Sequence, residues 1–274
     1  MKVLVSDPIH EDGLEKLRQF ADVDVITDLS HEQLVEKVPG YDAMVVRSGT
    51  KVRKDVLDSA DNLKLIVRAG VGLDNIDLEY AEEVGVKVEN TPEASTTAVS
   101  ELTLALMLSW ARKIPHADRN MREGKWMKSE LEGTELRNKT IGIIGTGRIG
   151  CSVAEKAKAF GMKIVGCDIV ENENFNQIGG EYLEMSELLG ESDYVTLHLP
   201  LTSKTKHLIG EEEIDMMQDS AVIVNVARGG VIEEDALIDA LREGKIAGAC
   251  LDVYANNPIE DERLLELENV ILVP

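Results

Sequence analysis

The chain has 274 residues, 43% of them hydrophobic and 29% charged, and a formal net charge of −22. That length accommodates two ordinary domains, each with its own core, and no apolar run reaches the roughly 18 to 20 residues that a membrane span needs. So large an acidic excess argues against a nucleic-acid partner, whose phosphates demand a basic face. An acidic protein that handles a small anion must instead reverse its own field locally, with arginines. The three cysteines, Cys151, Cys167 and Cys250, form no C-x-x-C and no metal-ligand spacing. No metal site is expected from them, and a reducing cytoplasm fits. The N-terminus, Met1-Lys-Val-Leu-Val-Ser-Asp7, already reads as a strand and lacks a cleavable signal pattern.

Taken in order, residues 1 to about 92 read as short β-branched strands alternating with amphipathic helices. The expected strands are Val3–Ser6, Val23–Thr27, Ala43–Arg47, Lys64–Arg68 and Val86–Glu89. The expected helices are Glu11–Phe20, His31–Val38, Arg53–Ala60 and Leu78–Val84. This alternation implies a parallel, doubly wound α/β sheet, with ligands gathered at the carboxyl ends of the strands. Arg47 and Arg68 each stand at such an end. Thr91-Pro92 breaks the pattern, so the first domain is expected over 1–94 and the second over 95–274. Ala94 to Ile114 reads as one helix, apolar on most faces and therefore buried between domains or against another subunit. The charged segment Asp118–Lys128, with Trp126 inside it, is expected as a surface excursion.

The second domain opens on Thr140-Ile-Gly-Ile-Ile-Gly-Thr-Gly-Arg-Ile-Gly150. An apolar strand enters a G-x-G-x-x-G turn, a helix follows, and a second strand ends at Asp168. This is the context a dinucleotide fingerprint requires. Gly145 permits the tight turn, Gly147 lets the backbone approach a pyrophosphate, and Gly150 lets helix and strand pack closely. The pyrophosphate then meets free N–H groups at the positive end of the helix, and Asp168 is placed to accept from a ribose diol. Further strands are expected at Tyr194–His198, Ala221–Val226, Ile246–Val253 and Val270–Val273, with helices at Glu211–Met217 and Glu234–Glu243.

Ala227-Arg228-Gly229-Gly230 follows one of these strands. An arginine there can grip a carboxylate through two parallel N–H donors while polarising a neighbouring carbonyl oxygen. Asp252 ends the next strand and suits the carboxamide of a nicotinamide. Around Asp168 the sequence reads Cys167-Asp-Ile-Val-Glu-Asn172, with no cation to meet a 2′-phosphate, so NAD is expected over NADP.

With these residues in place, the chain resembles the D-isomer-specific 2-hydroxyacid dehydrogenases over essentially its whole length. The resemblance rests on Arg47-Ser48 with Thr50, Arg68-Ala-Gly-x-Gly-x-Asp-Asn75, and the fingerprint with Asp168. It rests further on His198-x-Pro200-Leu-Thr202, Ala227-Arg-Gly-Gly230 and Leu251-Asp-Val-Tyr254. It implies a flavodoxin-like substrate domain followed by a Rossmann domain that binds NAD. The implied reaction is hydride transfer between C2 of a D-2-hydroxy acid and C4 of the nicotinamide. Arg228 would hold the carboxylate and keto oxygen. Val71, Gly145, Gly147, Arg148, Ile149, Gly150, Asp168, Leu199, Pro200, Ala227 and Asp252 would contact the cofactor. Arg47, Ser48, Arg68, Ala69, Gly70 and Asn75 would face the substrate, and the two N-terminal arginine motifs tilt it towards phosphoglycerate. A homodimer built through the cofactor domain is also implied.

Two departures stand out. The family's glutamate, which buttresses the catalytic histidine, immediately precedes the proline in Asp-Val-Tyr-x-x-x-Pro; here that position is Asn257. An amide can hydrogen-bond an imidazole but cannot stabilise its cation by charge. The histidine itself follows the proline that ends the last strand, in the order Pro-His-x-Gly. This chain stops at Pro274, and none of its five histidines matches that motif. The expectation is a fragment of a longer protein. Other readings are a relative acting on D-lactate, glyoxylate or hydroxypyruvate, and a non-catalytic, NAD-binding interaction protein like the family's corepressors.

Overall fold

In the computed structural model of the protein, which describes residues 1–256 and 258–274, the chain divides into two compact units, Met1–Ser95 and Thr96–Pro274. The first unit runs β1 (Lys2–Val5), α1 (Glu11–Arg18), β2 (Asp22–Val25), α2 (His31–Lys37), β3 (Ala43–Val46), α3 (Lys54–Asp58), β4 (Leu65–Arg68), α4 (Leu78–Glu83) and β5 (Lys87–Asn90). Its five strands are all parallel, in the order β2-β1-β3-β4-β5. Leu4, Met44, Val46 and Ile66 point from the sheet into a core closed by Leu34, Val56, Leu57 and Ala81. Val3 and Val5, on the opposite face, are buried as well. Both faces are therefore covered, as a parallel sheet requires.

The second unit begins with α5 (Thr96–Ala111) and α6 (Ile114–Arg122). The single helix expected over Ala94–Ile114 thus ends at Ala111, and a second, unexpected helix starts after Lys113, which has φ +51°. Pro115 is the physical reason, because its ring would clash with the carbonyl one turn earlier and it has no N–H to donate. The expected excursion is correspondingly shorter, since Asp118–Arg122 belongs to α6. Trp110 and the buried face of α5 (Leu104, Leu106, Met107) pack with the helix Arg148–Ala159 and the second sheet. That accounts for much of the apolar surface of α5 within its own unit.

The remainder alternates β6 (Thr140–Ile144), α7 (Arg148–Ala159), β7 (Lys163–Cys167), α8 (Glu173–Ile178), β8 (Glu181–Tyr182), α9 (Met185–Glu191), β9 (Tyr194–Leu197), α10 (Glu211–Asp215), β10 (Val222–Asn225), α11 (Glu234–Glu243), β11 (Gly248–Leu251), α12 (Glu262–Leu265) and β12 (Val270–Leu272). The seven strands are parallel, in the order β12-β11-β10-β9-β6-β7-β8. Successive residues of a strand serve opposite cores, as the two-residue period dictates. Val222 and Val224 join the core under α5 and α7, whereas Ile223 joins the one under α9 and α11. The architecture is the expected pair of doubly wound parallel sheets, with a Rossmann-type second unit.

Candidate functional site

In the second unit the strand order reverses between β6 and β9, the switch point at which open α/β sheets bind ligands. The fingerprint turn lies there. Gly145 has φ +94°, and a Cβ on it would come within 2.5 Å of the His198 carbonyl oxygen. The turns after β6 and β9 can adjoin only because residue 145 is glycine. A Cβ on Gly150 would overlap the Gly145 carbonyl, so α7 could not start so close to β6. A Cβ on Gly147, in contrast, would meet nothing within 4 Å, and the space beside this backbone is open. Gly147 caps the twelve-residue α7, whose first bond runs from Cys151 N to Gly147 O at 2.9 Å. Exposed Arg148 and half-buried Ile149 form its first turn. Open space against the positive end of a helix fits a pyrophosphate.

Asp168 follows β7 and is exposed. Its Oδ2 accepts from Thr146 N at 2.7 Å and Thr146 Oγ1 at 3.2 Å, and its Oδ1 accepts from Ile169 N at 2.7 Å. Beyond it, Ile169 is 99% exposed and Val170 71%, two apolar side chains offered to solvent beside a carboxylate. The sequence singled out Asp168 but not Thr146, which is completely buried and holds it.

On the other side of β6, Leu199 is half-buried and Pro200 exposed after β9. His198 Nε2 lies 3.0 Å from Oγ1 of buried Thr196, and enclosure of the ring pushes its pKa down to about 3. A histidine so weakly basic stays neutral at pH 7 and is a poor proton acceptor, in keeping with its place outside the family's catalytic motif. After β10, Ala227 and Arg228 are half-buried. Arg228 Nη1 donates to Ala227 O at 2.6 Å. The shape of this turn is set by Asn225, 1% exposed, whose Nδ2 donates to Arg228 O at 2.9 Å while its Oδ1 accepts from Ala227 N at 3.1 Å. Asn225 is a positioning residue that motif reading passed over as part of the strand. Gly229 completes the turn, since a Cβ on it would overlap the Tyr254 carbonyl. Asp252 stands half-buried after β11, its N–H bonded to Asn225 O at 3.0 Å. Burial pushes its carboxyl above the usual range, a strain that an N–H donor such as a carboxamide would relieve.

In the first unit the switch point falls between β1 and β3, and the Arg47 loop occupies it. Asp7, buried just past β1, accepts from Arg47 N at 2.5 Å and Thr50 N at 3.1 Å through one oxygen. Ser6 Oγ lies 2.9 Å from Thr50 Oγ1. Buried Asn75 donates through Nδ2 to both Arg47 O and Thr50 O at 2.7 Å. Its amide nitrogen is therefore engaged with the loop. Arg47 and Ser48 are exposed, with Arg47 Nη1 donating to Pro8 O at 3.1 Å. Arg68 ends β4, the neighbour of β3, and Ala69, Gly70 and Val71 follow it, all four half-buried. A Cβ on Gly70 would overlap the Arg68 guanidinium, so glycine leaves that group its place. Asp7 was missed from the sequence, although it ends its strand much as Asp168 does.

Asn257 lies outside the described residues. Among the described residues no group of three His, Cys, Asp or Glu is placed to hold a metal ion, and no helix is long and apolar enough to cross a membrane.

Comparison with known proteins identifies the family. Residues 104–274 match the family described as D-isomer specific 2-hydroxyacid dehydrogenase, NAD binding domain. The whole chain is 50% identical to a D-3-phosphoglycerate dehydrogenase of Methanocaldococcus jannaschii, of which it covers 53%. It is 44% identical to a hydroxypyruvate reductase of Thermotoga maritima, of which it covers 90%. The chain thus spans about half the length of the first of these relatives and most of the second. It also superposes, with a TM-score of 0.89 and 32% identity, on 88% of an Aquifex aeolicus D-lactate dehydrogenase solved with NAD and lactic acid. The chain therefore belongs to the D-isomer specific 2-hydroxyacid dehydrogenases and carries their NAD binding domain.

Proposed function

We propose that the chain is the cofactor- and substrate-binding part of an NAD-dependent dehydrogenase that oxidises 3-phospho-D-glycerate to 3-phosphooxypyruvate, an entry step to serine biosynthesis. Bound NAD would supply the nicotinamide C4 that takes the hydride leaving C2. Gly145, Gly147, Arg148, Ile149 and Gly150 would seat the pyrophosphate, Asp168 the ribose diol, and Ile169 and Val170 the flat face of the adenine. Leu199, Pro200, Ala227 and Asp252 would hold the nicotinamide end. Arg228 would bind the substrate carboxylate and polarise the oxygen on C2. In the first unit, Arg47, Ser48, Arg68, Ala69, Gly70 and Asn75 would bind a substrate anion.

The observation that supports the phosphorylated substrate is the exposed Arg47, presented at a switch point by a loop that Asp7 and Asn75 clamp on both sides. Arg47→Ala should raise KM for phosphoglycerate by tenfold to a hundredfold, the loss of a charge-assisted contact of roughly 1.5 to 3 kcal/mol. KM for D-lactate or glycerate should hardly change. Steady-state kinetics on both substrates decides, and a uniform rise would remove Arg47 from phosphate recognition. A second reading, reduction of hydroxypyruvate or glyoxylate, is favoured by the 90% coverage of the Thermotoga reductase. In that case the unphosphorylated keto acids would show the higher kcat/KM.

A homodimer fits the exposed apolar residues Ile114, Met121 and Trp126 in and after α6. The free cysteines Cys151, Cys167 and Cys250 fit a reducing cytoplasm.

A further inference from the structure

We propose that Tyr182 is the positioning residue that sets cofactor choice at the adenosine end, by locking Asp168 through Thr146. This rests on the reading of the second unit as an NAD site and concerns a residue outside every motif named above.

The direction of each hydrogen bond follows from the groups involved. A carboxylate only accepts, so the Thr146 hydroxyl gives its one proton to Asp168 Oδ2. Thr146 Oγ1 must then be the acceptor in its 2.6 Å contact with the Tyr182 hydroxyl. The Tyr182 oxygen in turn accepts from Asn172 N at 2.8 Å. The relay has a single polarity: Asn172 N–H to Tyr182 O–H to Thr146 O–H to the carboxylate. A second tie runs back, from Asn172 Nδ2 to Thr146 O at 2.9 Å. Asp168 and Asn172, the two ends of the segment a ribose would touch, are both fastened to the fingerprint turn.

The consequence concerns specificity. Three of the roughly four lone-pair sites of the Asp168 carboxylate are filled by Thr146 N, Thr146 Oγ1 and Ile169 N. The remaining acceptor has a fixed direction, suited to a ribose hydroxyl. A carboxylate held this way also cannot swing aside for a 2′-phosphate, and like charges kept at contact repel. Flexible acids tolerate both cofactors more readily; a locked one excludes NADP.

The aromatic ring of Tyr182 has a separate job. It packs on Phe175 with centroids 5.1 Å apart. Phe175 is fully buried where Gly166 and Gly180 leave room for it, a Cβ on Gly166 coming within 2.6 Å of its ring. Tyr182→Phe keeps that packing and deletes only the hydroxyl, leaving Asn172 N–H without its acceptor and Thr146 Oγ1 without its donor.

The test is titration calorimetry of NADH and NADPH against the wild-type chain, Tyr182→Phe and Thr146→Val, with thermal melts of each. Wild type should bind NADH far more tightly than NADPH. In Tyr182→Phe, NADH affinity should fall roughly tenfold, the scale of one lost hydrogen bond to a charge-linked group. NADPH affinity should fall much less, so that the ratio of the two narrows. Thr146→Val, which cuts the same relay one link on, should narrow it too, and it carries the test if Tyr182→Phe fails to fold. An equal loss for both cofactors, or an unchanged ratio, would overturn the proposal while leaving the NAD site in place. A wild type that bound neither would overturn the NAD reading itself, and this one with it.

Discussion

At the scale of single residues, His198 shows how enclosure decides chemistry. In the unfolded chain its imidazole titrates near the ordinary 6.5, and in the folded one only at about 3. Between those values the unfolded state binds a proton that the folded state refuses, so this contribution to stability is present above pH 6.5 and is lost as pH falls through the window. At roughly 1.4 kcal/mol per unit, the fall from pH 7 to pH 5 should remove about 2 kcal/mol. Denaturant unfolding at the two pH values should show His198→Gln, whose amide can still reach Thr196, losing about 2 kcal/mol less than wild type. Equal losses would mean that the ring meets water. Arg47, Arg228, Asp168 and Asp252 were legible as candidates because charged residues at the ends of buried strands are conspicuous. Their holders Asp7, Asn225 and Thr146 were not. Small polar residues beside strands resemble ordinary caps until their hydrogen-bond partners are known.

At the scale of elements, the helix–sheet packing of the second unit depends on a glycine. Gly248 opens β11, and a Cβ there would overlap the indole of Trp110 on α5. Gly248→Ala should lift that end of the helix and cost about 1 to 3 kcal/mol, the usual penalty for overpacking a core. Trp126 is 78% exposed, so a Trp126→Phe background leaves Trp110 as the reporter in fluorescence-monitored denaturation. An unchanged midpoint and emission would show that helix and strand have slack. The period-two strands and the fingerprint helix could be read from sequence, because each buries a face of regular spacing. The expected helix ends three residues early, at Ala111, and α6 was not expected at all, because Arg112-Lys113 carries no glycine or proline to mark the turn before Pro115.

At the scale of the whole molecule, α6 presents Ile114 (50% exposed) and Met121 (53% exposed) one heptad apart on one face, with exposed Trp126 following. The proposed homodimer would use these side chains. A second copy of the chain is the proposed partner. Sedimentation velocity should find a dimer for wild type and a monomer for Ile114→Ser combined with Met121→Ser. A dimer that survived both changes would place the interface elsewhere. The acidity of the chain, −22 overall, makes the arginines at strand ends within each unit, Arg47 and Arg68 in the first and Arg228 in the second, more telling, since an anion must find local positive charge in a negative field.

The sequence by itself determined the class of fold, the dinucleotide turn and the edge of each sheet that carries chemistry. Parallel βα units have one hand of crossover, so every strand's carboxyl end falls on the same side. Only the tertiary structure decided which of those ends meet. Asp7 reaches the Arg47 loop across 40 residues because β3 lies beside β1, skipping β2 in the sheet. Tyr182 reaches Thr146 across 36 because β8 closes the far edge of the other sheet. Strand order is a global property, set by how the helices share two faces, and no local pattern encodes it.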